Sequence, residues 1–118
     1  MNTKEIGDFG ENAAAEYLED NDYEILKRNL RFKFGEVDII AKIGGCTVFV
    51  EVKTRKNNLH GNPSEFVDFR KQRRVKRAAA CFRDLVNDDV RFDVIEVLYD
   101  DMGGTLIASD INHIENAF

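Results

Sequence analysis

Apolar positions along the chain change period several times, and each change predicts a new element. Between Thr3 and Asp20, Ile6, Phe9, Ala13, Ala14, Tyr17 and Leu18 recur at helical spacing and make one apolar stripe. Asn2 or Thr3 can cap this first helix. Gly7 and Gly10 weaken it by about 1 kcal/mol each relative to alanine, so each needs a reason. Close packing against a sheet is one reason, and room beside Glu11, at the flank of the stripe, is another. Glu11 itself reads either as a carboxylate looking toward the sheet or as a solvated helix acid. Asn21-Asp22 breaks the helix, Tyr23–Leu30 reads as a strand, and Arg31–Phe34 as a basic, aromatic connection.

Two β-branched stretches follow, Val37–Lys42 and Thr47–Arg55, separated by Gly44-Gly45, which suits a two-residue turn with positive φ. KNNLHGNPS, after Arg55, is rich in turn formers and reads as a mobile loop carrying His60. A second helix is predicted from about Glu65 or Asp68 to Val86. Its buried stripe is Val75, Ala79, Phe82 and Val86, with Ala78 and Leu85 alongside. Val90–Tyr99 is apolar on both faces and reads as a buried strand in which Asp93 is costly unless paired. Asp101–Gly104 turns the chain into an antiparallel last strand, Thr105–Ala108. Asp110 is placed to cap a closing turn, with Ile111, Ile114 and Phe118 sealing the core.

The hairpin reading has a chemical consequence. With Gly44-Gly45 at the turn centre, Asp38 faces Glu51 and Glu36 faces Lys53. Alternation then puts all four on one side, and Val37, Ile39, Val48, Val50 and Val52 on the core side. Two carboxylates directly across a strand pair repel each other. A hard divalent cation such as Mg²⁺ or Mn²⁺ between them removes the conflict, with the Lys53 ammonium beside it. The alternative is that both acids splay into water while Glu36 and Lys53 form an ordinary cross-strand pair.

A chain of 118 residues with 43% hydrophobic and 33% charged residues fits a single domain, 1–118, with one modest core. No apolar run approaches the roughly 20 residues that span a bilayer, and the first residues lack a signal-peptide core, so a cytoplasmic protein away from the membrane is expected. Cys46 and Cys81 fit no zinc spacing and read as reduced, partly buried thiols. The formal net charge of −5 is unevenly spread. Between Val52 and Arg83 stand ten Lys/Arg and only two Asp/Glu, so an acidic protein keeps one basic surface for a polyanion. Six of those cations, Arg70, Lys71, Arg73, Arg74, Lys76 and Arg77, fall within eight residues at the start of the second helix. Cations there oppose the helix macrodipole, and a phosphate would relieve them. Lys71 and Gln72, four and three residues before Val75, point toward the packed side, where Lys71 either meets an anion or snorkels.

An acid followed by E-x-K on a hairpin, in the order helix, three strands, helix, two strands, resembles the restriction-endonuclease-like (PD-(D/E)XK) superfamily. More closely, the chain resembles the YraN-like family of predicted endonucleases, through GENAAAEYL, YEILKRN, GEVDIIA, VFVEVKTR, RKQRRVKRAA, RFDVIEV and INHIENAF. The resemblance covers essentially the whole chain. It implies an α/β fold with a restriction-endonuclease-like αβββαβ core, its mixed central sheet flanked by helices. It implies a nuclease cleaving DNA, branched or junction DNA included, as the similar Holliday junction resolvases do. By the same resemblance Asp38, Glu51 and the main-chain carbonyl of Val52 hold Mg²⁺ or Mn²⁺, and Lys53 is the catalytic lysine. Glu11 matches the further acid of the first helix, and Glu36 belongs to the GEVD signature with a less defined role. Lys71 and Gln72 match a helix-borne pair that steadies the scissile phosphate. Arg55, Lys56, Arg70, Arg73, Arg74 and Arg77 are the remaining expected nucleic-acid contacts, and a homodimer is implied by analogy with the resolvases. The rival readings are a module that binds nucleic acid without cutting it, and a scaffold whose acidic surface docks on another protein.

Overall fold

The computed structural model describes residues 2–33, 35–57, 69–83 and 89–118, the side chain of Arg83 excepted. His60, Pro63, the expected helix start at Glu65 or Asp68, and Leu85 and Val86 lie outside the described residues. The elements run α1 (Thr3–Asp20), β1 (Glu24–Phe32), β2 (Gly35–Ile43), β3 (Cys46–Lys56), α2 (Phe69–Arg83), β4 (Asp89–Met102) and β5 (Thr105–Ile114). The five strands form one mixed sheet in the order β1-β2-β3-β4-β5. Only β3 and β4 are parallel, because the chain passes through α2 between them, and a parallel neighbour requires such a crossover.

Helix α1 starts at Asn2, whose side chain accepts a hydrogen bond from the Glu5 N–H at 2.8 Å. Ala14, Ala15 and Leu18 pack on Ile39, Ala41, Val48, Val50, Ile95 and Val97 on one face of the sheet. Val75, Ala78 and Ala79 of α2 pack with Ile40, Phe49, Leu30 and Val37 in a second cluster. Both faces of the sheet are therefore covered, which accounts for the nearly continuous burial of Thr47–Glu51. The two glycines of α1 have separate explanations. A Cβ on Gly10 would lie 1.8 Å from Thr54 Oγ1, whereas one on Gly7 would meet nothing within 4 Å. Gly10 lets helix and strand touch, and Gly7 borders open space. Gly35 allows a similar approach, since a Cβ there would meet the Arg74 carbonyl at 2.5 Å.

The hairpin register is the expected one from the turn outward: Ile43 pairs with Cys46, Ala41 with Val48 and Ile39 with Val50. Gly44 takes the positive φ, 56°. Beyond Ile39 the expectation fails, because the β2–β3 ladder stops there and Glu36 does not face Lys53. The break coincides with Asn29 of β1, which has φ 52° and stands between the pairs Arg28↔Ile39 and Leu30↔Val37. Val37 joins the α2-side cluster and Ile39 the α1-side cluster, so the expected shared core face of these two residues breaks at Asp38. Glu36 reaches Arg74 of α2 instead, at 3.1 Å.

Three boundaries also differ. Arg31 and Phe32 extend β1 rather than forming a connection, and β4 runs on to Met102, leaving only Gly103-Gly104 for the turn. Asp110 lies within β5, which continues to Ile114, and its carboxylate accepts from the Ile111 N–H. The pairing demanded by Asp93 is present on the same strand and on β5. Arg91 Nε donates to Asp93 Oδ1 at 2.9 Å, His113 Nε2 lies 2.7 Å from Oδ2, and the Asn116 N–H donates at 3.0 Å. His113 Nδ1 in turn meets the Tyr17 hydroxyl, and Arg91 meets that of Tyr23, so this buried acid ties β4, β5 and α1 together. Neither Cys46 nor Cys81 is in a disulfide, and Cys81 is exposed rather than partly buried. Among the described residues no helix is long and apolar enough to cross a membrane.

Candidate metal centre and nucleic-acid interface

Where β2 and β3 part, the backbone of β3 lacks a strand partner on its β2 side, and Asp38 fills the gap: its Oδ2 accepts the Val52 N–H at 2.9 Å. In an extended strand the N–H and C=O of one residue point to the same edge, so the Val52 carbonyl is turned toward β2 as well. Glu51, one residue earlier, is 0% exposed, beneath α2. Its carboxyl and that of Asp38 interact directly. Burial, then the Asp38 charge, push the Glu51 carboxyl up to about 7. Asp38 is also raised, by burial, against the pull of the Val52 N–H and Lys71. Both oxygens of Glu51 are buried without a hydrogen bond of ordinary geometry among the described residues.

The cation that meets this pair comes from α2. Lys71 Nζ lies 2.5 Å from Glu51 Oε1, an ion-pair contact, so Lys71 meets an anion rather than snorkelling. Burial acts to lower its pKa, but Glu51, then Asp38 and Glu36, outweigh burial and hold the ammonium above the ordinary lysine value. Together with Arg74–Glu36, this contact gives two of the six α2 cations a carboxylate from the sheet. Lys53 is half-buried, and its charge acts on Glu96, its register partner on β4. Glu96 is 1% exposed and stands 3.6 Å from Arg55. Burial raises its pKa, against Arg55 and Lys53. The sheet thus carries two buried acids on this side, each with its own basic neighbours. Glu96 escaped the sequence reading because its pairing depends on the parallel register of β3 and β4, which local pattern does not reveal.

Glu11 and Asp38 border one cleft of about 260 Å³, together with Gly7, Asn29, Arg31, Val52 and Lys71. Arg28 Nε donates to Glu11 Oε1 at 2.9 Å, so this helix acid is 7% exposed and looks inward rather than into water. Asn29 and Arg31 were not singled out from sequence. Asn29 carried a signal in retrospect, as an asparagine inside a strand, tolerant of left-handed backbone. Arg70, Arg73, Arg74 and Arg77 line a second cleft of about 250 Å³ on the outer side of α2, all four exposed. Gln72 is half-buried beside Lys71, and Lys56 is exposed at the end of β3.

The oxygen donors brought together are the carboxylates of Asp38 and Glu51 and the edge carbonyl of Val52. Among the described residues no group of three or more His, Cys, Asp or Glu could hold a metal ion. Two carboxylates and a carbonyl nevertheless fit Mg²⁺, which binds through one or two carboxylates and takes its remaining ligands from water and phosphate. The buried, underbonded oxygens of Glu51 are the feature a hard cation would satisfy.

Comparison with known proteins places the chain in a family. Residues 10–97 match "Uncharacterised protein family UPF0102". The chain is 50% identical to a UPF0102 protein of Caldicellulosiruptor saccharolyticus and 46% identical to one of Clostridioides difficile. A UPF0102 protein of Dictyoglomus turgidum is 40% identical, and in all three alignments the whole of each chain is covered. The chain therefore belongs to the UPF0102 family.

Proposed function

We propose that this protein is a Mg²⁺- or Mn²⁺-dependent nuclease that hydrolyses phosphodiester bonds in DNA, branched or junction DNA among its candidate substrates, on a restriction-endonuclease-like core. The observation that carries the reading is the meeting of Asp38, Glu51 and the Lys71 ammonium beside a cleft, one helix face away from four exposed arginines. A bound divalent ion would supply a water of lowered pKa and withdraw charge from the phosphoryl oxygens. Asp38, Glu51 and the Val52 carbonyl would hold that ion. The Val52 N–H fixes Asp38, so the carboxylate needs no reorganisation to serve as a ligand. Glu11, held by Arg28, is a further acid on the same cleft. Lys53 orients the attacking water or offsets charge in the transition state, and Glu36 and Arg74 brace α2 over the site. Arg70, Arg73, Arg74 and Arg77 take the phosphates flanking the cut, with Arg55, Lys56 and Gln72 at the margin.

A panel of linear, flapped and four-way DNA incubated with Mn²⁺ tests this. Wild type is expected to cleave at least one substrate, and Asp38→Ala, Glu51→Ala and Lys53→Ala to lose cleavage at least 100-fold. Equal activity in all four proteins removes the nuclease. A second reading, binding without cleavage, is favoured by the Lys71–Glu51 contact, which fills the acid pair with an internal cation. A gel shift in Ca²⁺ followed by exchange into Mn²⁺ separates the two. In either case replacing Arg70, Arg73 and Arg77 by alanine should weaken DNA binding and flatten its salt dependence by roughly one logarithmic unit per lost phosphate contact.

A further inference from the structure

The contact of Lys71 with Glu51 has a meaning beyond packing. Glu51 is wholly buried, its neighbour Asp38 carries the same charge, and neither Glu51 oxygen has a hydrogen bond of ordinary geometry among the described residues. Two like charges in such a place need a cation. The cation present is on a flexible four-carbon stem, and Lys71 is half-buried, bordering the cleft as well as reaching under it. The ammonium 2.5 Å from Oε1 and a divalent ion bound at the same carboxylate would repel each other and compete for the same negative charge.

We propose that Lys71 is an exchangeable internal counter-cation: it neutralises Glu51 in the metal-free protein, yields that position to a divalent ion, and then turns its ammonium to a phosphate in the cleft. This rests on the metal site of the preceding section, and it adds that cation and phosphate are taken up in a linked way. A divalent ion must displace an existing ion pair, so its affinity alone is held down. A phosphate that attracts Lys71 removes the competitor, so each ligand strengthens the other. The acid pair therefore stays satisfied while the site is unloaded, and loads fully only with a phosphate-bearing ligand present.

The test is a calorimetric titration of Mn²⁺ into metal-free wild type, Lys71→Met and Lys71→Arg at pH 8, with and without thymidine 5′-monophosphate. Lys71→Met should bind Mn²⁺ at least ten-fold more tightly than wild type, and Lys71→Arg, which keeps the charge, within about three-fold of it. The nucleotide should tighten Mn²⁺ binding in wild type and leave Lys71→Met unchanged. If the methionine variant does not fold, Lys71→Gln takes its place, with the same expectation. Equal Mn²⁺ affinity in wild type and the uncharged variant overturns the exchange while leaving the metal site standing. Equal tightening by the nucleotide in both overturns the linkage. No Mn²⁺ binding by any of the proteins at millimolar concentration overturns the inference and the metal site together.

Discussion

The carboxylate of Asp38 takes the place of a strand: its Oδ2 accepts the Val52 N–H at 2.9 Å, beyond the last β2–β3 pair, Ile39↔Val50. One side chain thereby closes the gap between two strands and is fixed against Glu51. Its two roles separate in Asp38→Asn. Asparagine keeps an oxygen for the Val52 N–H but loses the negative charge. The variant should unfold within about 1 kcal/mol of wild type, the size of one ordinary hydrogen bond. Its Mn²⁺ affinity should fall at least ten-fold, as read by titration.

Glu51 sets a pH dependence on the metal-free protein. Its carboxyl titrates at about 7 in the fold against an ordinary 4.5, so the folded state favours the protonated form. That contribution to stability is complete below pH 4.5 and is lost as pH rises through about 7. Glu51→Gln removes the titration. Denaturant unfolding at pH 5 and pH 8 should show the variant gaining on wild type as pH rises. An unchanged difference between the two would remove the assigned cause. Saturating Mn²⁺ should abolish this loss in wild type, since an ion bound at Glu51 favours the charged carboxylate.

The two glycines of α1 should respond oppositely to alanine. Gly10→Ala drives a methyl into Thr54, whose Cβ and Cγ2 would lie 2.8 Å away, and should cost about 2 kcal/mol by forcing helix and strand apart. Gly7→Ala meets open space and should stabilise by up to about 1 kcal/mol through helix propensity. Denaturant midpoints of the two variants check this directly.

Asp93 is the acid whose loss the fold should feel most. Burial raises its pKa, but His113, then Arg91 and the Asn116 N–H, outweigh burial and hold the carboxylate below the ordinary range. Its stabilising contribution is present above the unfolded value of 3.8 and is lost as pH falls through the lower folded one. Asp93→Asn leaves Arg91 and His113 facing a neutral amide and should cost about 3 kcal/mol, measured by urea unfolding at pH 7. The NMR signals of Tyr17 and Tyr23 should shift in the same variant, because their hydroxyls hang on this network.

Much of the fold was legible because it depends on local period. The α1 stripe, the Gly44-Gly45 turn and the buried stretch of β4 all follow from spacing, and α1 spans the residues expected. The need of Asp93 for a basic partner was legible from polarity alone. Extension of β5 through Asp110 was not, because an aspartate beside apolar residues reads as a cap until a neighbouring strand is known. For the site, a hairpin reading of the sequence brought Asp38 and Glu51 close, but the ladder ends at Ile39↔Val50, and Asp38 reaches this place by accepting the Val52 N–H. Which lysine meets them was not legible. Lys53 is near in sequence and its charge acts on Glu96, whereas Lys71 reaches Glu51 from a helix on another part of the chain.

By itself the sequence determined which segments are helix or strand and where the hairpin turns, since both follow from short-range spacing and backbone preference. Tertiary structure alone decided that β2 and β3 part at Asp38, that Glu51 is sealed beneath α2, and that Lys71 supplies its counter-charge. The last two depend on how α2 crosses the sheet, and the parting of the strands coincides with a left-handed residue, Asn29, in the adjacent strand. Burial then converts a pair of ordinary carboxylates into a site whose charge must be balanced from outside its own hairpin.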